Sequence, residues 1–445
     1  MNDLHTLRGC TEYRTLDRQS LSRRRFLAAA GGSLGLAAAS SWLPRVAFAD
    51  SADAHAVSAG ERDVVVSIFL RGGADGLTLC VPHAESEYYR LRPTLAVARP
   101  DDTSQPAAAR ALDLDGRFGL PPALAPLERA YRDGALAIVH ACGLGHPTRS
   151  HFDAMHLLEV GRLDAPATEG WLGRHLRTAP ATRPNALLRA AAFGHALPRT
   201  LVGAPAAVPL PDPSAYGPLA PPEVLTVWWR ALASLYRGAD NLLRDAARGT
   251  IDTVELLGAV NTDSYRPSDG VVYPETEFGR ALHATASLIV ADLGLEAATV
   301  DLGGWDTHDV QGSTDGVLAE RMTVLAGGLD AFYRDLAARG RHRVTVLVLS
   351  EFGRNVVENG SRGTDHGHAG ALFALGIGGG VAGGRVITDW PGLAPDRLYE
   401  GQDLERTIDT RDVLAEALRK RVGRDDAPSL FAEPSYDWTD RGVFR

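Results

Sequence analysis

Lysine and cysteine are both scarce in this sequence of 445 residues. Lys420 is the only lysine, and the three cysteines are Cys10, Cys80 and Cys142. The chain has no C-x-x-C or C-x-x-C-H motif, which argues against covalent haem attachment and against thiol redox chemistry. Cys80 and Cys142 follow the first two predicted strands. They could form a disulfide in an oxidising compartment, although cysteines with apolar neighbours are more often buried thiols.

Positive charge is also in short supply. The chain has 46 basic residues against 55 acidic ones, a formal net charge of −9. Residues 1–49 hold seven arginines and three acids, so the remainder has 39 basic and 52 acidic residues and a net charge of −13. This balance argues against nucleic acid or an anionic membrane as a partner.

The apolar run near the N-terminus is too short to remain as a membrane span. Residues 27–42 are interrupted by glycines and fall short of the about 20 residues that a spanning helix needs. They follow the twin-arginine motif SRRRFL at 22–27 and precede the sequence AFA at 47–49. We therefore predict that residues 1–49 are a cleaved signal peptide, that the twin-arginine machinery exports the folded protein to the periplasm or beyond, and that no stable membrane span remains.

Alternating apolar runs and helical spacings predict an α/β fold. Strand-length apolar runs end in glycine or polar residues, and amphipathic stretches separate several of them. The strand, helix and strand at 298–302, 314–339 and 343–349 form a βαβ unit, which implies parallel strands. Further strands are predicted at 63–70, 135–140 and 371–375, and further helices from 150 and at 222–248 and 275–293. We expect one domain over residues 50–445, with an irregular insertion around 165–220 that contains short strands.

Acidic residues and histidines follow two of these strands directly. In open α/β sheets, ligands bind beyond the carboxyl ends of the strands, so these residues indicate a shared site. Asp306 and His308 are two residues apart, as are His366 and His368, so each pair points to one side of an extended segment. The candidate metal ligands here are Asp306, His308, Glu351, Asp365, His366 and His368.

Two further groups of residues have alternative interpretations. Asp75 lies in a Gly-Gly-x-Asp-Gly turn after the first strand, where it could serve turn chemistry or bind a metal. A histidine-rich segment after the second strand could include another ligand, although His156 fits a helix face better. Its histidines are His140, His146, His151 and His156.

Ser150, Arg149 and Arg354 are the candidate catalytic residues. Ser150 precedes a predicted helix, where its hydroxyl could act as a nucleophile near the positive end of the helix dipole or as a simple N-cap. Arg149 and Arg354 could hold an anionic substrate oxygen or pair with surface acids.

Five motifs together give the sequence a family resemblance. RGGADGL (71–77), RSHFDA (149–154), GWDTH (304–308), SEFGR (350–354) and TDHGHAG (364–370), with the twin-arginine leader, resemble the exported bacterial family of the domain of unknown function 1501 type. That family looks like a branch of the alkaline phosphatase and sulfatase superfamily.

The resemblance implies a doubly wound, mostly parallel sheet flanked by helices, with two metals at the strand ends. By position, Asp75 matches the first-strand ligand and Ser150 the nucleophile. Asp306 and His308 match the ligands of one metal, Glu351 matches the acid of the other, and His366 or His368 matches the late histidine.

These observations predict an exported metal-dependent hydrolase of phosphate or sulfate esters. Its cofactor would be one or two divalent ions among Zn, Mn and Fe, because oxygen and nitrogen ligands are mixed. Its substrate would be a small anionic ester, attacked in line by the hydroxyl of Ser150. The alternative is a non-catalytic exported protein that uses the metal site for structure or for binding a surface glycan or another partner.

Overall fold

The computed structural model describes residues 62–163, 168–183, 186–211, 252–253, 256, 264–340, 342–434 and 436–445. The predicted signal peptide and the helix predicted at 222–248 lie outside these ranges. Among the described helices, none has both the length and the apolar character that crossing a bilayer requires.

The fold is α/β, with a large, mostly parallel sheet. In the described part of the chain its nine strands lie in the order β10-β4-β9-β8-β1-β7-β5-β6, and β11 pairs with β4 outside this path. The strands are β1 (Val64–Arg71), β4 (Leu136–Gly143), β5 (Ala190–Phe193), β6 (Ala207–Pro209), β7 (Ala297–Gly303), β8 (Val344–Leu349), β9 (Gly370–Ile377), β10 (Arg385–Ile387) and β11 (Ile408–Asp409). A separate two-stranded sheet joins β2 (Leu112–Asp113) and β3 (Gly119–Leu120).

Strand β1 lies in the middle of the sheet, between β7 and β8. It pairs in parallel with both of them. The predicted strand–helix–strand unit therefore crosses over β1 rather than joining neighbouring strands. Among the described strands of this sheet, only β9 runs antiparallel to its neighbours, β4 and β8. Because it runs in the opposite direction, β9 begins at the edge of the sheet where β8 ends.

Helices cover both faces of the sheet. They are α1 (Gly76–Leu79), α2 (Ser86–Leu91), α3 (Glu128–Arg132), α4 (His151–Val160), α5 (Trp171–Thr178), α6 (Glu277–Ala291), α7 (Gly316–Arg339) and α8 (Thr410–Arg421). Short 3₁₀ helices lie at Ala107–Ala109, Pro122–Leu127, Arg199–Leu201, Pro395–Arg397 and Ala427–Phe431.

Alternate residues of β1 enter two different cores, which explains its nearly continuous apolar run. Val66 and Ile68 pack in the cluster that contains residues of α6 and α7. Val65 and Phe69 pack in the cluster that contains residues of α4, α5 and α8. A parallel strand that is buried on both faces has no polar side, so it loses the polar–apolar alternation of a surface strand.

The region predicted to be an irregular insertion contributes to the sheet. In its described part it forms α5 and the short strands β5 and β6, which extend the sheet in parallel beyond β7. Cys80 and Cys142 are both buried and free in the structure. Burial raises the pKa of the Cys142 thiol to about 12, so this thiol stays protonated at neutral pH.

Candidate metal site

Four segments meet at one edge of the sheet. Strands β7 and β8 end there, β9 begins there, and α4 begins there after β4. The loop after β7 carries Asp306, the loop before β9 carries His366, and the first residue of α4 is His151. Side chains that are far apart in the sequence are brought together at this edge.

Three of these side chains form a compact group. The ligand atoms of His151, Asp306 and His366 all lie within 4.8 Å of one another. Asp306 Oδ1 is 3.2 Å from His366 Nε2 and 3.4 Å from His151 Nε2. This group could hold a metal ion, since imidazole nitrogen and carboxylate oxygen together suit several divalent transition metals.

His308 supplies a third imidazole nitrogen, and so a fourth ligand atom, beside this group. Its Nε2 lies 3.0 Å from Asp306 Oδ1 and 3.0 Å from His366 Nε2. His308 is also the most exposed of the four side chains, at 23%, compared with 15% for His366 and 3% or less for Asp306 and His151. Solvent therefore reaches the group from the side of His308 and His366.

The tautomer of His366 follows from its hydrogen bond. Its Nδ1 lies 2.8 Å from the backbone carbonyl oxygen of Arg149. A carbonyl oxygen can only accept, so Nδ1 carries the proton and donates it. In the neutral ring Nε2 is then unprotonated, and its lone pair points at Asp306 and His308.

The other two histidines are held in the same way by carboxylates. His151 Nδ1 lies 2.7 Å from Glu351 Oε1, and His308 Nδ1 lies 3.1 Å from Asp365 Oδ1. Carboxylates fix the protonated nitrogen of metal-binding histidines in many proteins and leave the opposite nitrogen for the metal. Three Nε2 atoms thus converge on one carboxylate oxygen.

Asp306 is held in its charged form by its neighbours. Burial raises the pKa of this carboxyl, but its contacts with the three histidine rings and the charge of Arg354 outweigh burial and lower the pKa well below its usual range.

The pKa values of His151 and His366 are shifted in opposite directions. Burial lowers the pKa of His151, but hydrogen bonds to Asp306 and Glu351 outweigh burial and raise it to about 9. The pKa of His366 is lowered, chiefly by burial. In the metal-free protein His151 therefore carries the proton that a bound metal would displace.

The buried side chain of Arg354 links Asp306 to the backbone of three loops at the site. Its Nη2 donates to Asp306 Oδ1 at 2.7 Å, and the side chain is fully buried. The same guanidinium donates to four backbone carbonyls from three loops, those of Gly72, Gly73, Trp305 and Thr364. All three of its nitrogens are used in these contacts.

Glu351 and the turn after β1 fit against each other closely. Glu351 Oε1 accepts from the backbone N–H of Gly72 at 2.8 Å, and Oε2 accepts from Ser350 Oγ at 2.9 Å. Gly72 has φ +124°, and a Cβ there would lie 2.5 Å from the backbone nitrogen of Asp306. Only glycine permits both this conformation and this approach.

Asp75 lies outside the histidine group and is paired with an arginine. Its Oδ2 accepts from Arg92 Nη1 at 2.6 Å, from Thr78 Oγ1 at 2.7 Å and from Gln311 Nε2 at 2.8 Å. Arg92 and Asp75 are both fully buried. Burial raises the pKa of Asp75, but the charge of Arg92 and these hydrogen bonds lower it overall.

His368 also lies apart from the group. Its Nε2 is 3.2 Å from the carbonyl oxygen of Leu144, and its ring stacks on Tyr399 with centroids 4.3 Å apart. Burial lowers its pKa to about 4, so this ring stays neutral.

Ser150 and Arg149 lie at the start of α4. Ser150 is the N-cap residue of the helix, but its side chain makes no capping hydrogen bond. The guanidinium of Arg149 pairs with Asp403 at 2.6 Å and with Glu400 at 2.7 Å, while its backbone carbonyl holds His366.

The sequence pointed to His151 only as one of four histidines. Of the other three, His140 has its Nε2 2.9 Å from the carbonyl oxygen of Cys80. The sequence feature that could have singled out His151 is its position. His151 comes directly after a predicted N-cap, at the start of the first helix that follows a buried strand. That position is the carboxyl edge of the sheet, where the other ligands also lie.

A family model described as "Protein of unknown function (DUF1501)" matches residues 263–426. The matched region is similar to that family and includes Asp306, His308, Glu351 and His366, whereas His151 precedes it. No curated protein matches the chain.

Proposed function

We propose that this protein is an exported metal-dependent hydrolase of phosphate or sulfate esters, with an alkaline phosphatase-like or sulfatase-like arrangement of its sheet. One observation carries the proposal. The Nε2 atoms of His151, His308 and His366 converge on Asp306, and each opposite ring nitrogen is held by an acceptor. The position at the carboxyl edge of a mostly parallel sheet, where α/β enzymes bind their ligands, supports catalysis.

The donor set fits Zn, Mn or Fe, because it combines imidazole nitrogens with one carboxylate. A bound divalent metal would polarise an ester oxygen and stabilise the negative charge that develops on it. His308 and His366 form the exposed side, so a small anionic ester would enter past them. Ser150, directly before His151, would supply the attacking hydroxyl, since no capping hydrogen bond engages its oxygen.

The second candidate is a metal-binding protein without catalysis, which uses the site for structure or to bind a surface glycan or partner. Two observations favour it. Three histidines and Asp306 provide four protein ligands, the number typical of structural zinc sites. Arg149 and Arg354, which could have held a substrate anion, are both engaged by carboxylates.

We also propose that the protein works in the periplasm or outside the cell after export by the twin-arginine machinery. The motif at 22–27 and the AFA sequence at 47–49 support this assignment. Replacement of Arg23 and Arg24 by lysine should leave uncleaved precursor in the cytoplasm. Mature protein that still begins near Asp50 in the export compartment would refute it.

Ser150→Ala separates the enzyme from the binding protein. Fully metallated wild-type protein and the variant would be assayed against aryl phosphates and aryl sulfates, with metal content and melting temperature measured in parallel. We expect the variant to lose hydrolysis while metal content and melting temperature hardly change, since Ser150 makes no capping bond to lose. Full activity in the variant would exclude Ser150 as the nucleophile. A fully metallated wild type that hydrolyses no ester would favour the binding protein.

A further inference from the structure

Asp75 has the position from which a second metal ion would draw a ligand. It follows β1, the strand between β7 and β8. The loops after β7 and β8 carry Asp306 and Glu351. Asp75 therefore follows the central one of three adjacent strands whose carboxyl ends all carry an acidic residue. Two-metal sites place their ions about 3.5–4 Å apart and need carboxylates from neighbouring segments to hold both.

A buried guanidinium already neutralises this carboxylate. Arg92 binds Asp75 Oδ2 and also donates to the carbonyls of Asn355 and Val356, at 2.8 Å each. A divalent ion at Asp75 would bring two positive charges beside a buried cation, and low-dielectric surroundings make such repulsion strong.

The second oxygen of Asp75 does not create a metal site. Asp75 Oδ1 is buried and has no hydrogen-bond partner among the described residues. However, within the same residues only the group of His151, Asp306 and His366 brings three ligand atoms together. One oxygen with no converging ligands is suited to a water molecule rather than to a metal ion.

Glu351 and Asp365 are also committed to other partners. Glu351 uses Oε1 for His151 and Gly72 and Oε2 for Ser350. Asp365 Oδ1 accepts from His308 and, at 3.1 Å, from Asn359. Both carboxylates orient histidines, so ligating a second ion would release the rings that bind the first.

The formal charge of these groups matches a single ion. Among the described residues, the carboxylates of Asp306, Glu351 and Asp365 and the guanidinium of Arg354 contact the histidines or Asp306, and together they carry a formal charge of −2. The pair of Asp75 and Arg92 adds no net charge. From the available ligands and the charge together, we infer that the site binds one divalent ion per chain. The guanidinium groups of Arg92 and Arg354 supply the positive charge that a second metal ion would otherwise supply. This inference rests on the metal-dependent function proposed above.

Metal titration of the whole protein tests the inference. Metal-free protein would be titrated with Zn²⁺ by isothermal calorimetry, with a weak chelator present to suppress surface binding, and bound ions would be counted by native mass spectrometry. We expect one Zn²⁺ per chain. Two tightly bound ions would overturn the single-ion inference and leave the proposed hydrolase standing, whereas no bound ion would overturn both.

Two variants identify the residues that bind the ion. His366→Gln should abolish tight Zn²⁺ binding, and Asp75→Asn should keep one ion per chain, because Asp75 belongs to the pair with Arg92. Loss of the ion in a folded Asp75→Asn protein, judged by circular dichroism, would contradict the inference. If Asp75→Asn does not fold, the ion count of the wild type still decides the question.

Discussion

His151 Nδ1 lies 2.7 Å from Glu351 Oε1, and both side chains are fully buried. The equivalent contact of His308, to Asp365 at 3.1 Å, involves a carboxylate side chain that is 58% exposed. Water competes for an exposed hydrogen bond, so the buried partner fixes its ring more strictly. The two carboxylates therefore differ in how much they contribute to the metal site.

Glu351→Gln should weaken metal binding by about 10–100-fold, the usual effect of losing a carboxylate that orients a metal-bound histidine. Asp365→Asn is the matched control, because it makes the same chemical change at an exposed position, and we expect a smaller loss. Competition with a chromophoric chelator would measure both affinities. Equal losses in the two variants would contradict the difference inferred from burial.

The stability of the metal-free protein should fall as pH rises from about 6.5 to about 9. The pKa of His151 is about 9 in the folded protein and 6.5 in an ordinary setting. A group whose pKa is higher in the folded state than in the unfolded state stabilises the protein fully at a pH below its unfolded-state pKa. This stabilisation is lost once the pH rises above its folded-state pKa. Denaturant unfolding of metal-free wild type and His151→Gln should show a difference at about pH 6 that shrinks by about pH 9.5. A difference that stays constant with pH would refute protonation of His151.

Arg354→Met should destabilise the protein by about 3–5 kcal/mol, since it leaves Asp306 as a buried charge without its arginine partner. The four carbonyls that Arg354 binds also lose their donor. Arg132→Met, in an exposed pair with Glu128, is the control and should change the free energy of unfolding little. Similar melting temperatures for the two variants would show that Arg354 does not hold the loops together.

Monoanionic esters should be better substrates than dianionic ones. With one divalent ion bound, the charged groups at the site sum to zero, so no excess positive charge attracts a second negative charge on the substrate. We expect higher kcat/KM for aryl sulfates and phosphodiesters than for phosphate monoesters at pH 8. A clear preference for phosphate monoesters would contradict the charge balance.

The strands and much of the site could be predicted because their signals are local. The predicted strands at 298–302 and 343–349 correspond to β7 and β8, since buried parallel strands are continuous apolar runs. Asp306 and His308 stand out because they follow such a run within a few residues. The structure brings both to the same carboxyl edge as His366.

The partners of these residues could not be read from the sequence. Glu351 contacts His151 across 200 residues, and Asp75 pairs with Arg92 across 17 residues. Nothing in the spacing distinguishes a carboxylate that binds a metal from one that orients a histidine or neutralises an arginine. That distinction depends on which donors the folded chain brings within 3 Å.

The Nε2 atoms that converge on Asp306 should bind a divalent metal. Anomalous diffraction at the zinc absorption edge, from crystals of the zinc-loaded protein, tests this prediction most directly. We expect one strong peak at about 2.0–2.3 Å from the Nε2 atoms of His151, His308 and His366 and from a carboxylate oxygen of Asp306. A peak elsewhere, or none at this position in zinc-loaded crystals, would contradict it.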